Sequence, residues 1–524
     1  MCSVCGYFSV REKPIHLVVE MLKTLEHRGP DAHGLYADGK ITTAREISDL
    51  ESSEMAKVCL GHSRLSIAGG DDAIQPIRSC DGSLSLVHNG EIYNDHELKG
   101  LLSREQGIED EDNTSEILLH LLEELYDGNL LGTVQSVVKL LNGMYVFAVT
   151  DGDEVVIARD PIGIKPIYYV EEDGSVYFCS EKKGLYNFGG KIRRIPPGKI
   201  LRANKGGLSI HQGVRIERPQ IDITESDDAV TLYRAALTDA IEGMLKGLSV
   251  GKVGMIFSGG VDSVLIAKII SDFGWNLRCY CVGEKDSGDV KNAEKVATDL
   301  GLKLRVIFID EQTVEMILPE IIKSIETEGL LQVEVAVPMY LAAKAASEDG
   351  IRVMFTGQGA DELFAGYWWY KEVVREEGFL KLHTQLWEDI DLAYDDTLER
   401  EDKVTMAHSV ELRVPYLDRN VISCAMRISP RLKIKGADDS IRKWVHRRVA
   451  AMFGVPHYTA YRIKDMAQSG SGVHGLIKKI AEEYFDGKKA DKVEIADKGS
   501  NYRYLDTEYG TPEMRAYMHE IRTN

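Results

Sequence analysis

Ser258-Gly-Gly-Val-Asp-Ser263 sets two hydroxyls, two glycines and a carboxylate side by side. Glycine lets backbone N–H groups turn inward toward an anion. A helix starting just after such a turn adds unpaired N–H donors and a partial positive charge. These residue types point to a cradle for phosphate, although the stretch lacks the GxxxxGK(S/T) pattern of the common P-loop. A second candidate lies at Cys2. With Met1 removed, its thiol and a free α-amine share one carbon, and the amine can act as local base for a thiolate that attacks an amide carbonyl. The alternatives for Cys2 are a buried cysteine near a chain end, or a zinc or redox pair with Cys5; no second cysteine pair stands nearby to complete such a site.

The elements that must hold these residues follow from pattern. Val253-Gly-Met-Ile-Phe257 is a short apolar run and predicts a buried strand; Val264–Ile270 continues at helical spacing. Further strands are expected at Leu277–Gly283, Leu304–Ile309 and Ile351–Phe355, with a helix at Asp289–Ala297. Strand and helix alternate, which predicts a parallel, doubly wound α/β sheet with ligands outside the carboxyl ends of its strands, where the phosphate turn sits. The first part of the chain differs. Asn142–Thr150, Val155–Asp160 and Pro161–Tyr169 read as paired strands of sheets packed face to face, covered by helices at about 16–26 and 115–127. The expected division is a first domain over 1–205, a linker over 206–226 and a second domain over 227–524.

Composition narrows the function classes. With 524 residues, 44% hydrophobic and 28% charged, the balance is that of a soluble globular chain of two to four domains. A net charge of -20 argues against general affinity for a nucleic-acid backbone. No apolar run approaches a membrane span and no secretory signal is visible. Eight cysteines in a chain this long do not make a disulfide framework, so a reducing cytoplasm is expected.

Several stretches carry a family resemblance. The turn Ser258–Ser263 resembles the SGGxDS pyrophosphate loop of ATP pyrophosphatases. Cys2, His27-Arg-Gly-Pro-Asp31, Gly61-His-Ser-Arg-Leu-Ser-Ile67, Gln75-Pro76 and His88-Asn-Gly-Glu-Ile-Tyr-Asn94 together resemble the glutaminase domain of class II glutamine amidotransferases, closest to glutamine-hydrolysing asparagine synthetases. Thr356–Tyr367 resembles that family's SGEGSDEVFGGY, Ser409–Asp418 its VEARVPFLD, and Tyr461–Gly472 its late lysine loop. The resemblance implies an αββα N-terminal-nucleophile sandwich followed by the ATP-pyrophosphatase domain. It makes Cys2 the glutaminase nucleophile, and Asn89 and Gly90 the oxyanion donors. Arg64, Leu65, Ser66, Ile67, Glu91 and Thr114 join them as glutamine-binding positions. ATP is assigned to Ile256, Ser258, Gly259, Gly260, Asp262, Ser263, Val282, Thr356 and Gly357. Lys464 contacts the leaving pyrophosphate, and Asp262 and Asp361 hold Mg²⁺. Expected partners are glutamine, ATP and a carboxylic acid acceptor, aspartate first, with a homodimer one admissible assembly.

The departures from the family pattern are equally specific. Thr114 stands where the family has the aspartate that holds the α-ammonium of glutamine; Glu111 or Asp112 would have to supply that charge. Gln358 replaces the glutamate thought to activate the attacking nitrogen, and glutamine cannot take a proton. Glu334 replaces an arginine beside the acceptor and ATP sites. Arg400, Lys403 and Arg413 are the cations that could take its place. These changes leave open another carboxylic acid as acceptor, or a catalytically silent homologue that senses glutamine or ATP.

Overall fold

The structure, a computed structural model, describes residues 2–70, 73–102, 113–463, 470–485 and 510–523, the side chain of Asp396 excepted. The chain divides into two compact units, Met1–Ile216 with Leu245–Ser249, and Glu217–Met244 with Val250–Asn524.

The first unit is built on two antiparallel sheets. One runs, edge to edge, Arg193–Arg194, Tyr168–Glu172, Ser175–Cys179, Ser3–Pro14, Met55–Arg64, Ala32–Ala37 and Lys40–Ala44. The other runs Gly207–Gln212, Lys199–Asn204, Glu154–Arg159, Gly143–Thr150, Ser85–Ile92 and Ile77–Arg78. Alternation along Gly143–Thr150 explains the layering, because successive side chains leave a strand on opposite faces. Val146 and Ala148 join Val4, Phe8, Val58 and Leu60 of the opposing sheet in one apolar core. Tyr145, Phe147 and Val149 instead pack on helices Thr114–Leu125 and Leu130–Val137 through Ile117, Leu118, Leu121, Leu122 and Val134. On the far side, helix His16–Thr24 covers the first sheet with Val18, Val19, Met21 and Leu22. The layers are therefore α, β, β, α. The stretch 206–226, expected as linker, begins with the edge strand Gly207–Gln212, which pairs with Lys199–Asn204. Its strand character is weak in sequence because an edge strand exposes most of its side chains.

The second unit holds a five-stranded parallel sheet in the order Lys303–Phe308, Leu277–Gly283, Val253–Ile256, Val353–Phe355, Glu411–Arg413. The strands following Val253–Ile256 in sequence leave it on opposite sides, so the switch point lies at its carboxyl end, directly before the Ser258 turn. The fifth strand was not legible in advance. It is three residues long, and two of them, Glu411 and Arg413, are a buried ion pair 2.7 Å apart. Neither length nor hydrophobic pattern marks it. Helix Pro512–Thr523, in the polar stretch past residue 490, joins the apolar core through Met514, Tyr517 and Met518, which pack with Ile477 and Ile480. Among the described residues no helix is long and apolar enough to cross a membrane.

Candidate active site

In the first unit Ser3 pairs with Ser63 across antiparallel strands, which carries Cys2 alongside Arg64. The Cys2 backbone nitrogen donates to Asn89 Oδ1 at 3.0 Å, and Arg28 Nε donates to the Cys2 carbonyl at 3.3 Å. Arg28 is fully buried and pairs with buried Glu181 at 2.7 Å. Burial works to raise the Glu181 carboxyl, but Lys183, His27 and Arg28 together hold it well below the usual carboxylate range. His27, Arg28 and Glu181 thus meet as a charged brace under the cysteine.

Asn89 is the informative neighbour. Its side chain is fully buried, its oxygen is used on Cys2, and its Nδ2 has no acceptor among the described residues. A buried donor left without an acceptor costs about 1–3 kcal/mol, unless a ligand supplies one. A carbonyl oxygen of a substrate attacked by Cys2 is a fitting acceptor.

The loop after Arg64 is held from several sides. Arg64 Nη2 donates to Gly70 O at 2.6 Å and to Ala68 O at 3.3 Å, and Ser66 N donates to Asp31 Oδ2 at 2.7 Å. Ser249 N donates to Ile67 O at 2.9 Å. Leu65 and Ile67 are buried, while Ser66 is half-buried. Thr114 opens its helix with Oγ1 3.4 Å from Glu91 Oε2, so these two expected glutamine-binding residues are neighbours. Glu111 and Asp112 lie outside the described residues. Behind this wall His88 N donates to Gln75 Oε1 at 2.6 Å, and Ser115 Oγ lies 2.9 Å from His88 Nδ1. His62 donates to the His88 carbonyl at 3.2 Å, and burial drives its pKa down to about 3.

In the second unit the turn Ser258–Gly260 leads into helix Val261–Asp272. Gly259 has φ of 69°, and a Cβ there would meet Ala293 N at 2.6 Å, so glycine is required by conformation and by space. Ile256, Val282 and Thr356 sit at the carboxyl ends of three adjacent strands. A Cβ on Gly357 would come within 3.0 Å of Asp262 Cβ. The expected ATP-binding residues therefore gather at one edge of the sheet, beside a pocket lined by Ser258, Gly260, Asp262, Lys443, Arg447 and Arg462. Lys464 lies outside the described residues.

The structure adds residues that motif reasoning missed. The Lys443 ammonium lies 2.8 Å from both Asp262 Oδ2 and Asp361 Oδ1 and is itself 1% exposed. His446 Nε2 lies 3.0 Å from Asp262 Oδ1, and its Nδ1 is 2.8 Å from Tyr233 OH. Burial pushes His446 below its ordinary pKa, against the pull of Asp262. Tyr416 OH donates to the Asp262 carbonyl at 2.8 Å. Arg442 and Lys443 both adopt left-handed backbone, at φ 56° and 54°, and such strain in consecutive non-glycine residues collects at functional sites. One signal was available in sequence: Arg442-Lys-Trp-Val-His-Arg-Arg448 is a dense basic run in a strongly acidic chain.

The three cations considered for an acceptor carboxylate have internal partners. Lys403 lies 2.6 Å from Glu326, Arg400 donates to Gln332 at 2.7 Å and sits 3.3 Å from Glu401, and Arg413 pairs with Glu411. Glu334, fully buried, accepts from His474 at 2.8 Å. Gln358 Nε2 is 3.5 Å from Glu362 Oε1, which also accepts from Tyr367 OH at 2.8 Å. Glu401 is buried close by in sequence to Arg400; burial raises its pKa to about 7, with Arg400 opposing and Glu362 adding.

Comparison with known proteins bears on what these sites do. Residues 1–193 match the model of the glutamine amidotransferase domain, and residues 232–382 and 375–520 match that of asparagine synthase. A Methanocaldococcus jannaschii protein provisionally named asparagine synthetase (glutamine-hydrolyzing) 1 is 34% identical over 542 residues, spanning 93% of this chain and 97% of that protein. Asparagine synthetase (glutamine-hydrolyzing) of Zea mays is 29% identical over 535 residues, spanning 98% of this chain and 84% of the relative. Asparagine synthetase (glutamine-hydrolyzing) 2 of Oryza sativa is 29% identical over 494 residues, spanning 90% and 78%. A glutamine amidotransferase domain and an asparagine synthase domain thus share one chain. The chain belongs to the asparagine synthase family, with a glutamine amidotransferase domain at its N-terminal end. Its chemistry is that family's, in which glutamine and ATP are substrates.

Proposed function

We propose that the protein is a glutamine-dependent amide synthetase that makes asparagine from aspartate with release of AMP and pyrophosphate. Cys2 Sγ attacks the carboxamide carbon of glutamine. Asn89 Nδ2 and the Gly90 N–H hold the oxyanion; each such donor lowers the barrier by about 3–4 kcal/mol. The C–N bond breaks, ammonia leaves with the thiol proton, and water cleaves the thioester to glutamate. At the second site the acceptor carboxylate attacks the α-phosphorus of ATP and pyrophosphate departs. Ammonia then attacks the acyl carbon of the adenylate, and AMP leaves.

The observation that carries this reading is the convergence of Asp262 and Asp361 on one point beside the Ser258 turn, a point now held by the Lys443 ammonium. A glycine turn alone accommodates phosphate. Two carboxylates meeting at a cation next to it form a donor set that suits Mg²⁺, a hard ion bound through one or two carboxylates plus phosphate oxygens. Mg²⁺ taking that point in place of the Lys443 ammonium would offset phosphate charge, and His446 and Tyr416 would keep Asp262 oriented toward it. Lys464 is proposed to meet the leaving pyrophosphate.

A second reading, the same chemistry on another carboxylic acid, is favoured by the internal pairing of Arg400, Lys403, Arg413 and Glu334. An aspartate α-carboxylate buried beside them without a cation would cost several kcal/mol. The test is ATP–pyrophosphate exchange across a panel of acids, with product analysis. Exchange with aspartate, and asparagine formed with AMP, supports the first reading. Exchange with another acid alone supports the second. ADP and phosphate as products would remove both.

A further inference from the structure

Outside both candidate sites, Cys80, His120 and Glu123 converge on the surface of the first unit. One ligand atom from each, a thiol sulfur, an imidazole nitrogen and a carboxylate oxygen, lies within 4.8 Å of the other two. His120 Nδ1 and Glu123 Oε2 are 3.7 Å apart, one turn apart on the outer face of helix Thr114–Leu125, whose opposite face is fastened to the sheet by Ile117, Leu118, Leu121 and Leu122. Cys80 comes from a separate segment, the turn between Ile77–Arg78 and Ser85–Ile92.

That turn is stiff. The Asp81 carboxylate accepts from Ser79 Oγ at 2.7 Å, Ser83 N at 2.9 Å and Ser83 Oγ at 2.7 Å, while Ser79 N donates to Leu84 O at 3.0 Å. The Asp81 N–H in turn donates to Glu123 Oε1 at 3.1 Å. That bond occupies one carboxylate oxygen and leaves the other aimed at His120, the kind of outer support that orients metal-binding carboxylates.

We propose that Cys80, His120 and Glu123 bind a Zn²⁺ ion, with water in the fourth position. Thiolate and imidazole select a borderline-soft ion over Mg²⁺ or Ca²⁺, and zinc takes cysteine, histidine and carboxylate ligands in tetrahedral geometry, with water where a position stays open. Binding replaces the thiol proton of Cys80 by the metal and releases that proton to solvent. The ion ties the Ser79–Leu84 turn to the helix whose first residue, Thr114, stands beside Glu91, so occupancy bears on the candidate glutamine site from behind.

The test uses the full chain carrying Cys2→Ala, which removes the other solvent-accessible thiol, with Co²⁺ as an optical stand-in and Zn²⁺ titrated calorimetrically. The expected result is one metal ion per chain, a sulfur-to-cobalt charge-transfer band, and release of about one proton per ion. Cys80→Ser should abolish the band and weaken Zn²⁺ binding by about a hundredfold or more, and His120→Gln should weaken it comparably. Cys80→Ser keeps the Asp81–Glu123 bond, so folding is preserved and the result is interpretable. An unchanged cobalt band in Cys80→Ser, or no Zn²⁺ bound at micromolar free metal, overturns the proposal.

Discussion

The Lys443 ammonium lies 2.8 Å from Asp361 Oδ1, and the same nitrogen reaches Asp262, so one cation joins the first turn of helix Val261–Asp272 to the short helix Ala360–Phe364. A side chain at Gly366 would break this: a Cβ there meets Asp361 Oδ1 at 1.8 Å and Lys443 Cε at 2.1 Å. Lys443→Met should lower ATP–pyrophosphate exchange by about a hundredfold, the scale of losing one preorganised charge at a phosphoryl-transfer site. Gly366→Ala should lower it at least as much, and both should leave glutaminase turnover intact. Exchange at the original rate in Lys443→Met would show that the lysine only neutralises the two aspartates.

Cys2→Ala should abolish glutamate release from glutamine and leave synthesis from free ammonia. Asn89→Ala tests the buried Nδ2 separately. Glutaminase kcat should fall by about 10²–10³, with a smaller change in KM, because the donor acts on charge that develops in the transition state. A change confined to KM would make Asn89 a ground-state contact only.

Thr114→Asp puts a carboxylate where the Thr114 hydroxyl now lies 3.4 Å from Glu91 Oε2. The KM for glutamine should drop about tenfold, matching roughly 1.4 kcal/mol for one partly solvated ion pair. An unchanged KM in steady-state glutaminase assays would place recognition of the α-ammonium elsewhere.

Gln358→Glu restores a carboxylate able to take a proton from the attacking nitrogen. Amide formation should speed up about tenfold or more at limiting ammonia, while ATP–pyrophosphate exchange stays level. If exchange and synthesis move together, residue 358 acts on adenylation and not on the amine.

His474 donates to buried Glu334, and that hydrogen bond raises its pKa above the ordinary value, with burial opposing. A histidine whose folded pKa is raised contributes stability fully below its unfolded pKa of about 6.5, and loses it as pH climbs through the raised value. Denaturant midpoints should therefore fall as pH rises above about 6.5 in the parent protein. The same interval should show a flatter profile in His474→Gln. Identical profiles would mean the pair does not titrate there.

Much of the fold was legible because it is encoded locally. Two-residue alternation in Asn142–Thr150 and the short, glycine-interrupted apolar run before Ser258 mark strands locally, and the Ser258–Ser263 turn suggests a phosphate cradle through residue types whose backbone freedom is intrinsic. Residue types at Cys2, Asn89, Asp262 and Asp361 likewise named the candidate chemistry. What tertiary structure alone decided is which of them share a point in space. Lys443 stands 181 positions from Asp262, and no propensity or spacing links them; their meeting depends on the order in which parallel strands are laid down on either side of Val253–Ile256. The orphaned donor of Asn89, the internal pairing of Arg400, Lys403 and Arg413, and the three-residue strand Glu411–Arg413 are likewise products of burial, because a charged side chain reads as surface until its partner, remote in sequence, is packed against it.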